Sequence, residues 1–118
     1  METNNFNKDT FNQWCSQLVG IDGLEFDSDW NSLMMVVDKV ESLKFNSPTC
    51  TNKSPIITMG NCWCYIHIYN DTDKKSGRPV GDKYYYWSVG DHSVLADNRL
   101  NAVVKALWLF FEFYKSGS

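Results

Sequence analysis

Apolar residues recur along this chain at helical spacing in three places. Near the start, Phe11, Trp14, Cys15 and Leu18 share one face of a helix over NKDTFNQWCSQLV. Asn7 is placed to cap it, Phe6 and Phe11 occupy the N′ and N4 positions of a hydrophobic staple, and Gly20 offers a stop. A second helix is predicted over residues 27–43, with Asp27, Ser28 and Asp29 as candidate caps or first-turn acids. There Trp30, Leu33, Met34, Val37, Val40 and Glu41 follow the 3,4 spacing, and all but the glutamate are apolar. Met35 and Val36 widen the stripe, which predicts a helix covered on more than one side. The third is DNRLNAVVKALWLFFEFYK, with Asp97 as its expected cap. Leu100, Val103, Leu107, Phe110, Phe111 and Tyr114 form its stripe, widened by Val104 and Trp108. A helix this apolar should lie against a sheet and touch another helix.

Between the second and third helices the period changes. Residues 44–54 are polar and include Pro48, and an extended stretch IITMGNCWCYIHIYN begins after Pro55. Gly60 marks either a bulge or a break between two short strands. Alternation then sends Cys62, Cys64, Ile66 and Ile68 to one side, and Trp63, Tyr65, His67 and Tyr69 to the other. DTDKKSGRPVGD reads as a long turn-rich loop, and KYYYWSV as a strand pairing antiparallel with the first. The expectation is one α+β domain over residues 1–118: a small antiparallel sheet of three or four strands packed by about three helices, αβα-sandwich-like.

Composition changes this picture little. At 118 residues the chain suits one domain that buries roughly two thirds of its unfolded surface. Aromatic content is 15%, which asks for either a large-ring core or a surface that binds something flat or apolar. The net charge of −3 argues against a duplex-DNA binder. Its distribution is uneven, however: the bases of the second half gather at Lys74, Lys75, Arg78 and Lys83. The start METNNFNKDTFN lacks the features of a secretory signal. The most apolar run, residues 102–114, is too short to span a membrane and is interrupted by Lys105 and Glu112. A cytoplasmic protein with unpaired cysteines is expected.

Candidate chemistry centres on NCWCYIHIYN. Cys62 and Cys64 share a face with isoleucines, where a free thiol behaves as a small buried hydrophobe. C-x-C lacks the gap that lets a turn bring two thiolates onto one metal, and His67 lies on the opposite face, so no metal site is assigned. No C-x-x-C is present for redox work. His67 has no nucleophile motif around it, and His92 sits in a polar turn with Asp91, Ser93 and Asp97. No catalytic residue and no cofactor is assigned. The aromatic face remains. Its rings read first as core beneath a helix, and second as a ligand surface formed by Tyr65, His67 and Tyr85 with Lys74, Lys75 and Arg78 from the basic loop.

The run from Asp29 to Glu41, DWNSLMMVVDKVE, together with the closing NRLNAVVKALWLFFEFYK, resembles small phage and prophage proteins of Bacteroides-type hosts described as an αβα-sandwich domain. The resemblance covers two separate places in the expected order. Met35 departs from it, standing where a proline is common. What it implies is a fold and a genomic setting, with no activity and no catalytic residues to carry over. The functional expectation is therefore a non-enzymatic accessory protein acting by binding, with a homodimer or a host protein as partner. The alternative is a protein that binds or sequesters a small molecule such as a nucleotide. The wide stripes on the second and third helices motivate self-association.

Overall fold

The computed structural model describes residues 6–47, 50–69, 85–89 and 93–115. Within them the chain runs α1 (Lys8–Val19), α2 (Trp30–Ser42), β1 (Phe45–Ser47), β2 (Cys50–Lys53), β3 (Ile56–Met59), β4 (Trp63–Tyr69), β5 (Tyr85–Ser88), β6 (Val94–Leu95) and α3 (Arg99–Lys115). The α+β class is as the sequence pattern predicts.

Helix ends follow local chemistry. The Asn7 side chain accepts the Thr10 N–H at 2.9 Å, and the Phe6 and Phe11 rings close the staple with centroids 5.8 Å apart. Gly20 ends α1 in the left-handed region at φ 79°, donating its N–H to the Ser16 carbonyl. Of the three candidate caps of α2, Asp29 takes the position. Its Oδ2 accepts from the Ser32 N–H at 2.9 Å and from the Ser32 hydroxyl at 2.5 Å, which holds the carboxyl below its ordinary pKa. At α3 the expected cap is one residue off. Asn98, not Asp97, accepts the Asn101 N–H, and its carbonyl accepts from Ala102, because the helix begins at Arg99.

The main sheet is antiparallel, with β4 at its centre. β3 pairs along one edge, in the register Ile56↔His67 to Met59↔Cys64. β5 and β6 share the other edge: β5 meets the end of β4 at His67↔Ser88 and Ile68↔Trp87, and β6 meets its start at Trp63↔Leu95 and Cys64↔Val94. Gly60 is thus a break between two strands. Its N–H donates to the Trp63 carbonyl, and a Cβ there would collide with the Trp63 indole. Arg99 fastens this turn to the start of α3 through the Gly60 carbonyl and the Asn61 Oδ1, each at 2.9 Å. The polar stretch 44–54, which carries no strand pattern, forms the separate hairpin β1–β2, with Asn52 at φ 55° and its N–H held by the Asn46 side chain. Phe45 ties that hairpin to the core by its ring contacts with Phe110, Phe113 and Tyr114.

α3 is the centre of the molecule. Ala102, Val103, Val104, Ala106, Leu107, Trp108, Phe110 and Phe111 are all buried, as expected of a helix apolar on nearly every side. On its sheet side Phe110 meets Trp87 edge-on, and Phe113 stacks on Trp87 with centroids 4.7 Å apart. On its far side Phe111 meets Phe11, and Trp108 stacks on Trp14 at 4.9 Å. α2 packs against α1 and β3. Glu41, the polar residue in its stripe, accepts the Ile57 N–H at 3.0 Å and so occupies a donor on the open side of the edge strand β3.

Candidate functional site

Alternation along β4 decides which side chains are available for function. Cys64, Ile66 and Ile68 are fully buried beneath α3, together with Val94 and Val89 from the neighbouring strands. The other face turns away from α3. It carries Trp63, Tyr65, His67 and Tyr69 in a row, flanked by Ile56 and Thr58 of β3, Ser88 of β5 and Leu95 of β6.

This second face is mixed in character. Trp63, Tyr65 and Tyr69 are half-buried. His67 is only 6% exposed, its ring 5.2 Å from that of Tyr65 and 4.5 Å from that of Tyr69. At the edges apolar surface is open: Ile56 is 43% exposed and Leu95 is 70% exposed. Neither residue stood out in the sequence. In SVLAD the signal for Leu95 is only its place one residue after a buried valine, which alternation sends to the opposite face.

Of the residues assigned from sequence to a ligand surface, Tyr65 and His67 lie side by side on this face. Tyr85 pairs with Tyr69 at backbone level, past an irregularity in register. Lys74, Lys75 and Arg78 lie outside the described residues, as does His92. Ser93 and Asp97 are described, half-buried and exposed respectively.

Burial lowers the pKa of His67, which favours the neutral imidazole in the folded state. The consequence for stability has a definite sign. Well above pH 6.5 the folded and unfolded chains both carry neutral His67 and the group contributes no pH dependence. As pH falls below that value the unfolded chain takes up the proton first. Folding stability then declines until the folded pKa is passed, and is flat below it. Urea midpoints at pH 7.5 and pH 5 are expected to differ more for the native chain than for a His67→Gln variant. Equal differences would exclude His67 as the source.

The cysteines divide differently from their spacing. Cys64 is buried, and desolvation pushes its thiol up to about 12. Cys15 is buried on α1, and its pKa is raised by desolvation and, to a lesser degree, by the nearby Asp27 carboxylate. Cys62, expected in the core with Cys64, is exposed, because β4 starts only at Trp63 and Cys62 belongs to the preceding turn. Brief alkylation of the folded protein followed by mass mapping should label Cys62 and leave Cys15 and Cys64 unmodified until denaturant is added. Labelling of Cys64 as fast as Cys62 would contradict its burial.

Among the described residues, no three His, Cys, Asp or Glu side chains converge as a metal-binding group. In the same residues no helix is long and apolar enough to cross a membrane. What the arrangement offers is a face of rings with an apolar rim. No family model, no curated protein and no solved structure matches this chain.

Proposed function

We propose that the chain is a phage or prophage accessory protein that acts by binding rather than catalysis, and that its partner is a second copy of itself joined through the sheet face turned away from α3. The observation that supports this reading is the open apolar rim of that face, where Leu95 remains exposed beside half-buried Trp63 and Ile56 remains exposed beside His67. Exposed apolar side chains next to aromatic rings are the usual makings of an association surface. Most of the stripe of α3 is already covered by the sheet and α1, with Tyr114 exposed near its end. On α2, Met35 is 37% exposed while Leu33, Val36, Val37 and Val40 are buried.

Nucleotide binding is the second reading, favoured by the adjacency of Tyr65 and His67 on one face. Against it, His67 is only 6% exposed, with the Tyr65 and Tyr69 rings packed beside it. Native mass spectrometry of the purified protein over a range of concentrations separates the two readings. A dimer without added mass is the outcome expected here. A monomer at every concentration rejects self-association, and a retained nucleotide would put the second reading first.

A further inference from the structure

We draw no further inference here: the strongest candidate, the cavity of about 240 Å³ lined by Phe6, Ala96, Asp97, Asn101, Val104 and Lys105 beside the start of α3, rests on a helix N-terminus and exposed charges, and the buried indole nitrogen of Trp108 is not among the described groups that line it.

Discussion

Replacing Phe110 by alanine should lower the stability of the fold by about 3–5 kcal/mol, the usual range for emptying a buried phenylalanine site. Phe110 is fully buried, and its ring touches Phe45 of β1, Trp87 of β5, and Phe111, Phe113 and Tyr114 of its own helix. Its loss therefore opens a cavity where the hairpin, the sheet and α3 meet. The neighbouring rings are themselves held from several directions, so the site has little freedom to collapse. Because domains of this kind are stable by roughly 5–15 kcal/mol, the variant should sit near the edge of folding. Urea denaturation provides the check. A loss below about 1 kcal/mol would mean that the hairpin and sheet are not joined through this ring.

The second large effect concerns association rather than stability. Leu95→Asp should weaken the proposed dimer by at least about 30-fold, since it removes an apolar contact and buries an unpaired carboxylate in its place. The same substitution should leave the urea midpoint of the monomer nearly unchanged, because Leu95 is largely exposed in the single chain. Sedimentation velocity on the native and variant chains reads the first effect, and denaturation reads the second. A variant that dimerises as well as the native chain would move the interface elsewhere. One that unfolds would show that Leu95 works within the monomer.

The helices were the most legible part of the sequence, because their signals are local. Asn7, Asp29 and Gly20 act within one turn of where they stand, and the apolar 3,4 spacing names the buried face directly. β4 was legible by alternation for the same reason. Extrapolating that alternation one step beyond the strand put Cys62 in the core, and the turn at Gly60 placed it outside. β1, β2 and β6 could not be read, because they are short and carry little period of their own. They exist through their partners: Phe45 against the rings of α3, and Val94 against Cys64. The site was legible only as a set of rings on one side of a strand. Which side α3 would cover is a tertiary choice, and with it went the exposure of Leu95 and Ile56. Glu41 is the one polar residue in the 3,4 spacing on α2, and its role comes from a tertiary contact with the Ile57 amide that no local pattern encodes.

The central position of α3 also bears on how the chain folds. The α1–α2 pair and the β3–β4 turn bring together residues close in sequence and can form early at small entropic cost. The contact of Phe11 with Phe111, by contrast, closes a loop nearly as long as the chain itself. During synthesis the amino-terminal two thirds emerges with Cys64, Ile66 and Ile68 lacking the helix that will cover them. Until α3 arrives, that face of β4 is open to the wrong partner, and the order of synthesis sets a window in which the nascent protein depends on its surroundings to remain single.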